Sequence, residues 1–84
     1  MTVEIYTTRF CATCYAAKEL CRERGIAFRE IDVSGDEESR LAMAERAGGR
    51  RSVPQIFVDG RHVGGLAELE SAVASGAIAM CDRD

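Results

Sequence analysis

The hydrophobic and polar positions of this chain form short apolar segments separated by polar or glycine-containing ones. Residues 3–7, Val-Glu-Ile-Tyr-Thr, are β-branched or aromatic with partial alternation and predict a strand. Helix-forming residues from Ala12 to Arg24 predict a helix that stops at Gly25. Residues 26–33 predict a second strand, so the chain opens with a strand–helix–strand unit whose two strands are parallel.

The segment after the second strand predicts a second helix. Ser34 and Glu37 have the spacing of a capping box, in which each side chain satisfies backbone groups at the helix start. Gly48-Gly49 ends the helix. Four apolar residues are predicted to form or flank its buried stripe: Leu41, Met43, Ala44 and Ala47.

The second half of the chain predicts a hairpin followed by a third helix. Pro54 precedes the apolar strand 55–58, and because proline has no N–H it belongs at the first position of that strand or on an edge. Asp59-Gly60 is a two-residue hairpin signal that leads into a short strand at 61–63. The third helix is predicted to bury one side: Leu66, Leu69, Ala72 and Val73.

The composition indicates that the whole chain, residues 1–84, forms a single domain. Hydrophobic residues make up 46% and charged residues 30% of its 84 residues, with a formal net charge of −3, as in ordinary soluble proteins. No apolar run approaches the length of a membrane span, and the N-terminus lacks a secretory signal pattern. We therefore expect a cytoplasmic protein with no membrane partner. Nucleic-acid binding is not expected because it requires clustered positive charge.

Two closely spaced cysteines carry the candidate chemistry. Cys11 and Cys14 lie where the first predicted strand gives way to the first predicted helix. Unpaired N–H groups and the positive end of the helix dipole favour a thiolate at such a position, and Arg9 adds a nearby cation. Cys14 lies one turn further on the same side and can reach Cys11. The pair predicts thiol–disulfide exchange, with Cys11 as the nucleophile and Cys14 as the resolving thiol.

Other roles for the cysteines fit the sequence less well. A structural zinc site needs two further ligands, usually a second close pair, whereas Cys21, His62 and Cys81 each stand alone. A structural disulfide between positions three apart would constrain little of the unfolded chain. We expect Cys21 to pack as a small hydrophobic residue, His62 to lie at the surface and Cys81 to lie in a loose tail, 77–84, that adds a short helical turn.

The predicted order βαβαββα and three motifs resemble the glutaredoxins, in particular the small bacterial dithiol type. The motifs are Cys-x-x-Cys at 11–14, Ser-Val-Pro-Gln-Ile-Phe-Val at 52–58 and Gly-Gly-Leu-Ala-Glu-Leu at 64–69. The resemblance implies a thioredoxin-like α/β fold with a four-stranded mixed sheet flanked by helices. It also implies a monomeric, glutathione-dependent oxidoreductase without a metal, acting on protein disulfides and glutathione mixed disulfides.

The resemblance further implies a glutathione site. Pro54 matches the cis-proline of the family, which leaves the backbone of Val53 available to pair with extended glutathione. Residues 65–68 match the segment that holds the γ-glutamyl end, with backbone N–H groups on the carboxylate and the acidic side chain on the ammonium. Arg50 and Arg51 would attract the glycine carboxylate, or stay solvated. The implied glutathione contacts are Arg9, Thr13, Arg51, Ser52, Val53, Pro54, Gly65, Leu66, Ala67 and Glu68.

The chain departs from the family pattern at two places. The usual Cys-Pro-Tyr-Cys is Cys-Ala-Thr-Cys at 11–14, and Thr8 stands where many members carry lysine. Loss of the proline loosens the loop, and loss of the lysine removes a carboxylate contact unless Arg9 replaces it. Members without the proline include some that bridge an iron–sulfur cluster. Two alternatives therefore stay open: a dimer that binds a [2Fe–2S] cluster through Cys11 and glutathione, and a redoxin reduced by thioredoxin reductase.

Overall fold

A four-stranded sheet forms the centre of the computed structural model, which describes residues 1–78. The strands are β1 (Val3–Thr7), β2 (Arg29–Asp32), β3 (Gln55–Val58) and β4 (Arg61–Gly64). The helices are α1 (Ala12–Glu23), α2 (Glu37–Arg46) and α3 (Leu66–Ser75). The order βαβαββα confirms the prediction. Most of the predicted tail turn, with Cys81, lies outside the described residues.

The strand order β2-β1-β3-β4 places β1, from the first half of the chain, beside β3, from the second half, at the centre of the sheet. β1 is parallel to β2, with Tyr6 opposite Ile31, and antiparallel to β3, with Ile5 opposite Ile56. The sheet is therefore mixed, as predicted. Because β1 and β3 run in opposite directions, the end of β1 lies beside the start of β3. The Cys-x-x-Cys segment and the proline segment consequently meet.

Hydrophobic side chains cover both faces of the sheet. The face under α1 and α3 buries Val3, Ile5, Ala17, Cys21, Ile26, Ile56, Leu69, Val73 and Ile78. The face under α2 buries Tyr6, Val33, Met43, Ala47 and Phe57. Cys21 has no exposed surface, as expected of a small hydrophobic core residue, and burial raises the pKa of its thiol. The sheet therefore lies between two packed hydrophobic layers, and the loops of the site extend from its strands.

β2 is shorter than the strand predicted at residues 26–33 and begins at Arg29. The preceding residues complete the end of α1 instead. Gly25 has φ +69°, and the N–H of Ile26 donates to the carbonyl of Cys21 at 2.8 Å. This pattern is typical of helix C-termini that end in a left-handed residue. Ile26 buries its side chain, but its N–H belongs to the helix and not to the sheet.

α2 is capped by a different residue from the one predicted. Asp36 is the N-cap, and its carboxylate accepts the N–H of Ser39 at 3.1 Å. Ser34 and Glu37 therefore do not form a capping box. The hydroxyl of Ser34 accepts the N–H of Arg9 at 2.6 Å. This hydrogen bond joins the loops that follow β1 and β2, and the N-cap lies two residues later than predicted.

The buried side of α2 also corrects a prediction. Leu41 is 47% exposed, whereas Met43 has no exposed surface. Met43, Ala44 and Ala47 share one side of the helix, and Leu41 lies about a third of a turn away from the centre of that side. Met43 is therefore the main apolar contact of α2 with the sheet, and Leu41 faces solvent.

Candidate functional site

Cys11 is the N-cap of α1, with extended backbone at φ −145° and ψ 103°. It forms a disulfide with Cys14, the two Cα atoms lying 5.2 Å apart. The Sγ of Cys11 also accepts the N–H of Cys14 at 3.1 Å. Cys14 is only 2% exposed, whereas Cys11 is half-buried. The sulfur of Cys11 is therefore the one that an incoming thiol can reach.

Two further groups surround the sulfur of Cys11. The hydroxyl of Thr13 lies 3.4 Å from Sγ and donates to it in the disulfide state, since a disulfide sulfur has no proton. The carbonyl oxygen of Val53 lies 3.9 Å away. The Val53–Pro54 peptide is cis, as the family resemblance implied. The proline segment therefore lies directly beside the dithiol.

A groove of about 430 Å³ runs from Thr13 and the proline segment to the start of α3. Its lining residues are Thr13, Arg50, Ser52, Val53, Pro54, Gly65, Leu66, Ala67, Glu68 and Glu70. The groove thus brings together the sequence-predicted glutathione contacts except Arg9 and Arg51. Arg50, one of the two arginines predicted to attract the glycine carboxylate or stay solvated, also lines it, and so does Glu70, for which no contact was predicted.

One wall of the groove is the N-terminus of α3. The carboxylate of Glu68 accepts the N–H of Gly65, the N-cap, at 2.7 Å. This hydrogen bond, assisted by Arg50, holds the pKa of Glu68 below its ordinary value. The N–H groups of Leu66 and Ala67 lie in the first turn, where an α-helix offers them no acceptor. This wall presents N–H donors beside a carboxylate.

Gly64 allows the side chain of Glu68 to pack against the backbone. Its φ is +129°, and a Cβ atom there would lie 2.7 Å from Cγ of Glu68. Only glycine combines this backbone conformation with such a close approach. The first glycine of the Gly-Gly pair at 64–65 is therefore required by the packing of Glu68 against the backbone.

The other wall is held by Gln55, a buried polar residue with no exposed surface. Its Nε2 donates to the carbonyl of Ser52 at 3.0 Å and lies 3.3 Å from the Ser52 hydroxyl. Its Oε1 lies 2.6 Å from Nε2 of His62, whose ring packs on Phe57 with centroids 5.1 Å apart. His62 is a surface residue, as predicted. Its pKa is lowered first by burial of part of the ring and second by the positive charge of Arg50.

Sequence analysis missed the role of Gln55. The available signal was a polar residue directly after proline in an otherwise apolar strand. Such a residue is buried only when its amide is hydrogen-bonded, and the partners come from different parts of the chain.

Arg9 and Arg51 lie outside the groove. Arg9 lines a second depression, of about 440 Å³, together with Thr8, Phe10, Ser34, Gly35 and Arg40. Arg51 forms an ion pair with Glu37 at 2.7 Å, and its carbonyl accepts the guanidinium of Arg40 at 2.9 Å. Their predicted contacts with glutathione stay predictions.

Neither a metal-binding cluster nor a membrane-spanning helix occurs within residues 1–78. No cluster of three or more His, Cys, Asp or Glu side chains able to hold a metal ion occurs in this part of the chain. No helix in the same range is long and apolar enough to cross a membrane.

Comparison with known proteins identifies the family. The glutaredoxin family model matches residues 3–63. Glutaredoxin 3 of Escherichia coli strain K12 is 41% identical over 76 residues, which cover 90% of each chain. The solution structure of a glutaredoxin from Brucella melitensis is 43% identical, with a TM-score of 0.76 over 89% of this chain and 80% of that one. The structure of glutaredoxin 1 from Francisella tularensis is 32% identical, with a TM-score of 0.76 over 90% and 95%. With its thioredoxin-like fold and its Cys11–Cys14 pair at disulfide distance, the chain belongs to the glutaredoxin family of thiol–disulfide oxidoreductases.

Proposed function

We propose that this protein reduces glutathione mixed disulfides and protein disulfides with glutathione as the electron donor, acting as a single-domain cytoplasmic monomer. The family uses glutathione as a substrate. One observation carries the proposal for this chain. The groove of about 430 Å³ runs between a peptide backbone and a helix N-terminus. Two of its lining residues contact the accessible sulfur of Cys11, through the Thr13 hydroxyl at 3.4 Å and the Val53 carbonyl at 3.9 Å.

The two walls match the two ends of a γ-glutamyl peptide. Among residues 1–78 the N–H of Val53 has no protein acceptor, so it is available to an extended ligand backbone. The N–H groups of Leu66 and Ala67 would bind the α-carboxylate, and the carboxylate of Glu68 would bind the ammonium. Arg50 adds a cation at the γ-glutamyl end, because its guanidinium lies 3.8 Å from the position that a Cβ would take at Gly65. The sulfur of the bound tripeptide would then lie at Cys11.

Reduction of a glutathione mixed disulfide needs only Cys11. Its thiolate attacks the glutathione sulfur, a new S–S bond forms between Cys11 and glutathione, and the substrate sulfur leaves as a thiolate that takes a proton from solvent. A second glutathione thiolate attacks the glutathione sulfur of this intermediate. Glutathione disulfide leaves, and Cys11 returns as a thiolate.

Reduction of a protein disulfide uses both cysteines. Cys11 attacks one substrate sulfur and forms a mixed disulfide, and the other substrate sulfur leaves as a thiolate. The thiolate of Cys14 then attacks the sulfur of Cys11, which closes the internal disulfide and releases the second substrate thiolate. Two glutathione molecules restore the dithiol, the first attacking Cys11 because Cys14 is buried, and leave together as glutathione disulfide.

Steady-state kinetics on a glutathionylated peptide, coupled to glutathione reductase, tests the proposal. Wild type and Cys14→Ser should turn the peptide over, and Cys11→Ser should be inactive. On a protein disulfide, Cys14→Ser should lose activity as well. Cys21→Ala is the matched control, since this thiol is buried away from the groove, and it should behave as wild type in both assays.

Failure of the wild type with glutathione would contradict the proposal, and two measurements then separate the alternatives. Turnover with thioredoxin reductase would identify a redoxin served by that enzyme. A brown dimer after anaerobic purification with glutathione and iron, lost in Cys11→Ser, would identify a cluster-binding protein.

A further inference from the structure

Two side chains and one backbone carbonyl form a continuous hydrogen-bonded line beside the groove. Nε2 of His62 lies 2.6 Å from Oε1 of Gln55, and Nε2 of Gln55 lies 3.0 Å from the carbonyl oxygen of Ser52. Gln55 has no exposed surface, whereas His62 and Ser52 reach the surface on either side of it. We call this line the His62–Gln55–Ser52 relay. Ser52 is among the implied glutathione contacts, whereas His62 and Gln55 take no part in the reaction or in those contacts.

The direction of every hydrogen bond in the relay follows from one acceptor. The carbonyl oxygen of Ser52 cannot donate, so the amide NH₂ of Gln55 must face it. The oxygen of that amide consequently faces His62, and Nε2 of His62 must carry the proton. A buried amide that lost this donor would have an unsatisfied oxygen, which is costly in a site closed to water.

The relay connects the two walls of the groove. At one end it holds Ser52, which begins the proline wall. At the other end His62 belongs to β4, which ends at Gly64 and leads directly into the N-cap of α3. The walls are in close contact here, because a Cβ atom at Gly65 would lie only 3.4 Å from the carbonyl oxygen of Pro54. The relay therefore joins the two chain segments that form the walls, next to this contact.

We propose that His62 is a positioning residue which, through Gln55, sets the separation of the two walls and thereby the affinity of the groove for glutathione-bearing substrates. This inference rests on the proposed function, because it assigns a role within the glutathione groove. His62 does not touch the dithiol. Its loss should therefore weaken substrate binding without changing the exchange chemistry of Cys11 and Cys14.

Two substitutions separate this role from ring packing. His62→Phe keeps an aromatic ring against Phe57 but removes the donor to Gln55, whereas His62→Gln places an amide N–H near the position of Nε2. His62→Phe should raise KM for a glutathionylated peptide about fivefold, the value of one hydrogen bond of about 1 kcal/mol. Its kcat and its redox equilibrium with dithiothreitol should stay as in wild type. His62→Gln should restore KM, and Arg61→Gln, an exposed neighbour in β4, is the matched control.

Several results would overturn the proposal. It fails if KM is unchanged in His62→Phe, if His62→Gln behaves like His62→Phe, or if kcat and the redox equilibrium change in parallel with KM. Nitrogen NMR of the wild type provides a readout that is independent of glutathione: His62 should be protonated at Nε2 when neutral. Protonation at Nδ1 would disprove the relay itself, whereas an Nε2 proton in a protein inactive with glutathione would leave the relay intact and refute only the proposed function.

Discussion

Replacing Gly64 by alanine tests whether the close packing of Glu68 on the backbone builds the groove. Gly64 has φ +129°, and an added Cβ would lie 2.7 Å from Cγ and 2.8 Å from Oε1 of Glu68. The carboxylate would have to move, and it would lose the N–H of Gly65 that it now accepts at 2.7 Å. The substitution therefore strains the backbone and disturbs the helix wall at the same time.

The cost of this substitution has two parts. A non-glycine residue held in a sparsely populated backbone region costs about 1–3 kcal/mol. Forcing a methyl group into occupied space costs about 1–3 kcal/mol more. Cγ and Oε1 of the exposed Glu68 side chain can swing aside, but its Cβ, 2.9 Å from the added atom, is fixed to the backbone. We therefore expect a total loss of about 2–4 kcal/mol. For a domain of this size, that corresponds to a fall in Tm of about 10–25 °C.

Gly60→Ala is the matched control, because Gly60 also has a positive φ, +80°, but nothing lies within 4 Å of an added Cβ. It should cost about 1–2 kcal/mol from backbone conformation alone. Urea unfolding measures both losses, and KM for a glutathionylated peptide should rise only in Gly64→Ala. Equal losses of stability in the two variants, with KM unchanged in both, would refute the packing argument.

Three further predictions concern the core and the acid range. Phe57→Ala should cost about 3–5 kcal/mol in urea unfolding, because Phe57 is 1% exposed; Phe10→Ala, at a residue 94% exposed, should cost under about 0.5 kcal/mol, and similar losses would contradict the assigned core. Cys21→Ser should cost about 1–3 kcal/mol, because it buries a hydroxyl where a thiol packed, and kcat should not change; a stability equal to that of wild type would place Cys21 outside the core. The hydrogen bond from Lys18 lowers the pKa of Glu30, so its contribution to stability is present above the unfolded pKa of about 4.3 and is lost as pH falls through the lower folded pKa. Glu30→Gln should reduce this loss of stability at acid pH. If the stability–pH profiles of Glu30→Gln and wild type were parallel, the ion pair would contribute nothing.

Elements with strong local signals were predictable from the sequence. β1, the Asp59-Gly60 turn and α3 ending at Gly76 lie where predicted to within a residue or two. In each, the signal lies within the element itself, as a β-branched run, a turn dipeptide or an apolar stripe with a glycine stop. The dithiol at the N-terminus of α1 was predictable for the same reason, since it depends on a single strand–helix junction.

Features that depend on distant residues were not predictable from the sequence. The hydroxyl of Ser34 accepts an N–H from the loop after β1, so the capping of α2 moved to Asp36. Arg50 lines the groove whereas Arg51 pairs with Glu37, an outcome that depends on the course of the loop between α2 and β3. Sequence spacing alone could not distinguish two adjacent arginines.

The unequal covering of the sheet has a consequence for local opening. α1 and α3 pack on one face together, whereas α2 covers the other face alone and with a small cluster. Segments with few buried side chains unfold locally before the rest of a domain. We therefore expect the amide protons of α2 to exchange with deuterium through local openings, while those of β1 and β3 exchange only on global unfolding. The dithiol lies at the start of α1, on the face opposite α2, and should keep its geometry while α2 opens locally.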